Sequence, residues 1–181
     1  RYVITGRQRL KGLVTTSGSK NASLPLIAAA ILGEGKTALI GVPRITDIIN
    51  MCGVLESLGC RVNFNQNELA VDTSNLKDAT IDEDLMRKMR ASNLILGPMI
   101  AKNGRVKISR PGGCAIGTRP MDQHIKGLQM LGVTIKEKHG YIEAVADKLR
   151  GSEVYFDVPS VGATENVMMA AVLAEGTTII R

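Results

Sequence analysis

Cys114 stands in the stretch RPGGCAIGTRP, residues 110–120, with Arg110 and Arg119 on its two flanks. Guanidinium groups close to a thiol favour the thiolate, the nucleophilic form. Gly112, Gly113 and Gly117 open backbone conformations around it that are closed to other residues. A strand-like run over 105–108 precedes the stretch and a helix-like run over 120–131 follows, so the connection spans about eleven residues, near the upper limit for ordinary loops. An acidified thiol in such a loop can donate a proton or form a covalent bond. The plain alternative is a flexible connector with an incidental cysteine.

Other candidate groups lie where helices are expected to begin. Residues 17–21, SGSKN, lead into a helix expected from Ala22, so Lys20 and the backbone N–H groups are available at its positive end, a natural place for a phosphate or carboxylate. The same residues also read as an ordinary cap, by Ser19 or Asn21, beside a solvated lysine. Residues 159–164, PSVGAT, occupy the corresponding place later in the chain, and Arg90 stands just before a further helix. Asp122 and His124 follow the thiol loop. An aspartate there suits the helix dipole as well as acid–base work, and His124 is expected to be a flank residue. The run GEGKT, residues 33–37, imitates the tail of a phosphate-binding loop, but Ala30 stands where the leading glycine belongs. The run also follows a helix and precedes a strand, the reverse of what phosphate cradling needs, so it is read as a turn.

A repeat must position these groups. Ala22-Ser23, Ala91-Ser92 and Ala163-Thr164 each open an apolar helical stretch, and each stretch ends at Glu34-Gly35, Asn103-Gly104 or Glu175-Gly176, a spacing of about 70 residues. Strand-like runs follow at 36–40, 105–108 and 177–180. In the first two copies comes a second helix, with Ile48, Cys52, Leu55 and Leu58 on one stripe behind a Thr46-Asp47 cap, and Met121, Ile125, Leu128 and Leu131 on the other. Gly59 and Gly132 end these helices, and two hairpins are expected, 61–65 with 68–71 and 133–137 with 141–145, turning at Gln66-Asn67 and His139-Gly140. Each unit therefore reads strand, helix, strand, helix, strand, strand. About two and a half units are expected, the third beginning near Ser152, so the chain is expected to be a fragment. Such a layered repeat or barrel brings the helix starts to one rim.

Composition narrows the partners. A chain of 181 residues that is 44% hydrophobic and 22% charged is enough for one globular domain. With two Phe, three Tyr and no Trp, the core must be aliphatic, and few rings are left for base stacking. The net charge of +6 is scattered, which favours a small anionic ligand over nucleic acid. Cys52, Cys60 and Cys114 are odd in number and lack metal-ligand spacing, as do His124 and His139; a reducing cytoplasm, no metal and no cofactor are expected. Residues 24–32 form a long apolar run, yet too short for a membrane span and containing Pro25, so no membrane is expected.

Lys20-Asn21 after SGS, Arg90-Ala91-Ser92, the 110–120 loop followed by Met121-Asp122, and SVGAT at 160–164 together resemble the enolpyruvyl transferase family, in its branch acting on UDP-N-acetylglucosamine at the start of peptidoglycan synthesis. The resemblance covers essentially the whole chain. It implies an α/β fold of the EPSP synthase type: an inside-out barrel of βαβαββ units, helices inside and sheets outside, in two globes with the reaction in the cleft between them. Residues 1–19 would pack with a second globe missing from this chain, and 20–181 would form most of the first. The implied partners are phosphoenolpyruvate, UDP-N-acetylglucosamine and the inhibitor fosfomycin. Cys114 would be the proton donor and the site of a covalent adduct. Lys20, Asn21 and Arg119 would hold phosphoenolpyruvate. Arg90, Arg119, Pro120, Met121, Asp122, Gln123, Ser160, Val161 and Gly162 would hold the sugar nucleotide. Some members carry a lysine shortly before SVGAT where Val158 and Pro159 stand here, so no diphosphate contact is expected from that position. Taken alone, the fragment is expected to be inactive. The competing readings are a nucleotide-sugar-binding module without turnover and a basic RNA-binding domain.

Overall fold

The computed structural model describes residues 1–7, 9–77, 80–81, 84–85, 90–109 and 121–181, with the side chains of Thr80 and of 90–92 left undescribed. The first unit runs α1 (Lys20–Ala29), a 3-10 turn η1 (Ala30–Leu32), β1 (Lys36–Ile40), α2 (Thr46–Ser57), β2 (Arg61–Asn65) and β3 (Glu68–Asp72). The second runs β4 (Thr80–Ile81), η2 (Arg90–Ile95), α3 (Leu96–Asn103), β5 (Arg105–Ser109), α4 (Asp122–Met130), β6 (Thr134–Lys138) and β7 (Tyr141–Val145). The third contributes β8 (Glu153–Val154), α5 (Val161–Ala171) and β9 (Ile179–Ile180).

The sheets repeat the unit. β3 lies between β1 and β2, both antiparallel to it, with Leu39 opposite Leu69 and Thr37 opposite Val71. β7 lies in the same way between β5 and β6, and the short β4 adds a parallel edge to β5. β8 and β9 repeat that parallel pairing in the third unit. Within strands the burial alternates: Leu69 and Val71, Val106 and Ile108, and Ile142 and Ala144 face inward between more exposed neighbours, except at the end of β5, where Ser109 is buried as well. Helices cover the inner faces. Ile27, Ile31, Ile48, Met51, Leu55, Ile95, Leu96 and Met99 are fully or almost fully buried there. Each such side chain contributes about 1.5–3 kcal/mol by leaving water. This is the helices-inside, sheets-outside plan, with no closed barrel among the described residues.

The expected helix stops hold, with Gly59 and Gly132 at φ +90° and +93°, which a side chain would strain. Both hairpin turns form where expected, with Gln66 and His139 at φ near +50°.

Three expectations need correction. The Thr46-Asp47 cap does not form: the N-cap position is Ile45, extended at φ −122° and ψ 162°, and Thr46 already lies in the helix. The first helix begins at Lys20 rather than Ala22 because Ser19 caps it. The first unit shows no leading strand. Its described residues before Lys20 carry no helix or strand, and Tyr2 and Leu13 are 96% and 98% exposed.

Candidate active site at the helix starts

α1 and α5 begin with the same device, built from a local sequence pattern. Ser19 Oγ accepts from the N–H of Ala22 at 3.3 Å, and Ser23 Oγ donates to the Ser19 carbonyl at 2.8 Å. Ser160 Oγ accepts from the N–H of Ala163 at 3.3 Å, and Thr164 Oγ1 donates to the Ser160 carbonyl at 2.9 Å. Serine, then alanine three positions on, then a hydroxyl residue: the offsets are identical in the two units. Each cap uses one of the unpaired N–H groups of a first turn and leaves others pointing out of the helix end. Lys20 lies in such a first turn. Its Nζ reaches Asp47 Oδ2 at 2.9 Å, the first-turn acid of α2, with the two side chains 48% and 37% exposed. The approach to α1 is tight: a side chain at Gly18 would run into the Gly41 carbonyl oxygen, 1.6 Å from an ideal Cβ.

The starts of α4 and α5 are joined. Gln123 is buried; its Oε1 accepts from the N–H of Asp157 at 3.0 Å and its Nε2 donates to Asp157 Oδ2 at 3.2 Å. Lys126 reaches the same carboxylate at 2.5 Å. The hydrogen bonds from Lys126 and then Gln123 hold the Asp157 carboxyl below the usual carboxylate range. The segment leading to Ser160 is thereby tied to α4. Asp122 stands in the first turn of α4, where its charge meets the positive helix end.

His124 is not a flank residue. It is only 5% exposed, and burial pushes its pKa down to about 4 despite the charge of Asp122. Its Nδ1 lies 3.1 Å from Asn166 Nδ2 of α5, and its Nε2 3.3 Å from Asn93 Nδ2 of η2. Asn93 Nδ2 also stands 3.4 Å from Met121 Sδ. Asn166 bonds further, donating to the Asn93 carbonyl at 3.0 Å and accepting from the N–H of Gly97 at 2.5 Å. An ideal Cβ on Gly97 would lie 2.1 Å from the Asn166 carbonyl oxygen, so only glycine allows α3 to approach α5 this closely.

The structure thus brings together Met121, Asp122 and Gln123 with Ser160, Val161 and Gly162. η2, which Arg90 opens, packs into the same group through Asn93, one turn further on. Lys20 and Asn21 lie on α1, which packs against η2 and α2. Arg110, Cys114, Arg119 and Pro120 lie outside the described residues. Both ends of their loop are described and buried, Ser109 at the end of β5 and Met121 at the start of α4. Cys52 and Cys60 are buried free thiols whose pKa burial pushes up to about 11, which leaves them unreactive. Among the described residues no group of His, Cys, Asp or Glu is placed to hold a metal ion, and no helix is long and apolar enough to cross a membrane. Sequence reasoning missed Asn93, Asn166, Asp157 and the partnership of Asp47 with Lys20; the only signal for Asn166 is one amide within an otherwise apolar helix face.

Residues 4–181 match the family described as EPSP synthase (3-phosphoshikimate 1-carboxyvinyltransferase). The chain is 53% identical over 180 residues to UDP-N-acetylglucosamine 1-carboxyvinyltransferase 2 of Carboxydothermus hydrogenoformans, covering 99% of this chain and 43% of that protein. It is 48% identical over 181 residues to the protein of the same name from Caldanaerobacter subterraneus, with 100% and 43% covered. The chain therefore spans less than half the length of these curated relatives. Among solved structures, the enolpyruvyl transferase NikO from Streptomyces tendae shares the fold at a TM-score of 0.80 with 20% identity, over 97% of this chain and 42% of that one. An EPSP synthase from Acinetobacter baumannii shares it at 0.71 with 19% identity, over 93% and 40%.

Proposed function

We propose that this chain, which belongs to the EPSP synthase family, is part of an enzyme that moves the enolpyruvyl group of phosphoenolpyruvate to the 3-hydroxyl of UDP-N-acetylglucosamine and releases phosphate, in the cytoplasm, at the start of peptidoglycan synthesis. The observation that carries the reading is the convergence of the α4 and α5 starts at one end of the thiol loop, in a chain half identical to proteins named for this reaction.

The chemistry divides among these residues. Lys20, Asn21 and Arg119 neutralise the phosphate and carboxylate of phosphoenolpyruvate, aided by the capped N-terminus of α1. In this scheme Lys20 exchanges Asp47 for the substrate, an exchange favoured by the modest strength of an exposed ion pair. Cys114, acidified by Arg110 and Arg119, gives a proton to the enol CH₂. Positive charge develops at the neighbouring carbon, the sugar hydroxyl attacks it, and loss of a proton and of phosphate restores the double bond. The thiolate left behind can instead close on that carbon as a phospholactoyl adduct, and it is the nucleophile that fosfomycin alkylates. Arg90, Arg119, Pro120, Met121, Asp122, Gln123, Ser160, Val161 and Gly162 bind the sugar nucleotide. The base for the hydroxyl proton and the second wall of the cleft come from the further length that the relatives possess, against which residues 1–19 pack. No nucleic acid, membrane or cofactor takes part.

The test is phosphate release from the two substrates. A full-length form should turn over, its Cys114→Ala variant should lose about a hundredfold or more, and the 181-residue chain alone should be inactive. Turnover by the isolated chain at the full-length rate contradicts the division of labour, and a full-length form that binds UDP-N-acetylglucosamine without turnover is a binding module instead.

A further inference from the structure

The mechanism above leaves the buried imidazole of His124 unused, and its hydrogen bonds fix its state. Asn166 can be oriented in only one way. Its Oδ1 must face the N–H of Gly97 at 2.5 Å and its Nδ2 the carbonyl of Asn93 at 3.0 Å, because a backbone N–H only donates and a carbonyl only accepts. The nitrogen that meets His124 Nδ1 at 3.1 Å is therefore a donor, and Nδ1 must carry a lone pair. The proton of a neutral ring then resides on Nε2, 3.3 Å from Nδ2 of Asn93. Two N–H donors cannot share that line. Turning the Asn93 amide over within the same volume presents its oxygen to Nε2–H, giving up the weak contact of Nδ2 with Met121 Sδ. An imidazolium has no place here, since an Nδ1–H would point at the N–H of Asn166. The ring is also wedged against the start of α5, with an ideal Cβ on Gly162 only 3.3 Å from its Cε1.

We infer that His124 is a positioning residue: a neutral, Nε2-protonated imidazole that fastens η2 and the middle of α5 to the first turn of α4, packs against Gly162, and so sets the spacing between residues 121–123 and 160–162. Each of the three elements contributes one member, Asn93, His124 and Asn166, so a displacement of any one element against the others breaks a bond in this buried set. The inference rests on the proposed function only for the identity of the ligand those residues bind. It assigns His124 no proton transfer to substrate.

Two measurements on the full-length protein test it. Long-range ¹⁵N–¹H spectra of the unsubstituted protein near neutral pH should show His124 protonated at Nε2 and bare at Nδ1. The reverse tautomer, or a doubly protonated ring, overturns the lock whatever the enzyme does. His124→Gln retains an acceptor and a donor on one side chain, whereas His124→Leu has neither. His124→Leu should raise the UDP-N-acetylglucosamine KM and its calorimetric Kd about tenfold or more, with kcat and the phosphoenolpyruvate KM within about threefold of wild type, and His124→Gln should recover most of the loss. A fall in kcat at unchanged KM makes His124 a chemical participant, and equal losses for both substrates make it merely structural; either overturns the inference. Should His124→Leu not fold, the spectrum and the His124→Gln affinity decide. If the protein turns over neither substrate, the function reading fails while the tautomer still reports on the lock.

Discussion

The start of α1 and the start of α5 share one cap chemistry but are held in opposite ways. At α1 the cap is joined by an ion pair, Lys20 to Asp47, whose partners are about half and about one-third exposed. At α5 the cap sits over a buried set of amides and one imidazole that reaches into three other elements, η2, α3 and α4. A surface ion pair can be exchanged for a ligand at little cost, whereas a buried polar set resists change because every unmade bond leaves a desolvated group. The difference suits the two tasks proposed for them: a start whose lysine turns to a small anion, and a start that keeps its shape for a larger ligand.

The sharpest way to break the contrast is at the close approach of α3 to α5. Gly97→Ala forces the added methyl into Asn166 and severs a buried bond, and chemical denaturation should show a loss of about 3 kcal/mol. Loss below about 0.5 kcal/mol in that variant would mean the α5 start is no stiffer than α1.

Acid should separate the two regions almost as strongly. The folded-state pKa of His124 is lowered from 6.5 to about 4, so the unfolded chain takes up a proton first. The sign follows: this residue costs no stability above pH 6.5, and stability falls as pH drops from there toward 4. At 1.36 kcal/mol per pKa unit the loss at the lower end is about 3 kcal/mol. Denaturation curves of wild type and His124→Gln should therefore converge as the pH falls through this window, carboxylate titrations being common to both. Parallel curves would show that the ring is not buried neutral.

Smaller effects sharpen the comparison. Ser19→Ala and Ser160→Ala should each cost about 1 kcal/mol, since the caps are alike, and a large inequality between them would deny the repeat. Lys20→Met should change stability by less than about 1 kcal/mol while sharply reducing turnover; a loss of stability without loss of turnover would make Lys20 a structural partner of Asp47.

The same contrast explains what could be read from the chain itself. The caps were legible because Ser19, Ala22 and Ser23, and Ser160, Ala163 and Thr164, act within four residues of one another. So were the stripe of Ile48, Cys52, Leu55 and Leu58 and the stops at Gly59 and Gly132, which need only helical period and a positive φ. The buried set was not, for its members lie 31, 42 and 73 residues apart and their chemistry appears only when the second and third units stack. His124 read as a flank residue because polarity within an amphipathic helix usually marks solvent, and Thr46-Asp47 read as a cap although Ile45, bonded back to Pro43, turns the chain one residue earlier. The Cys114 loop, read as chemistry from its thiol, glycines and flanking arginines, lies outside the described residues, and its described ends, Ser109 and Met121, are both buried.

Mass spectrometry of the full-length protein incubated with phosphoenolpyruvate addresses that loop most directly. The account predicts a mass increase equal to one phosphoenolpyruvate, located by peptide mapping on Cys114 and lost in Lys20→Met. Turnover of both substrates with Cys114 unmodified under every condition, and undiminished in Cys114→Ala, would contradict it.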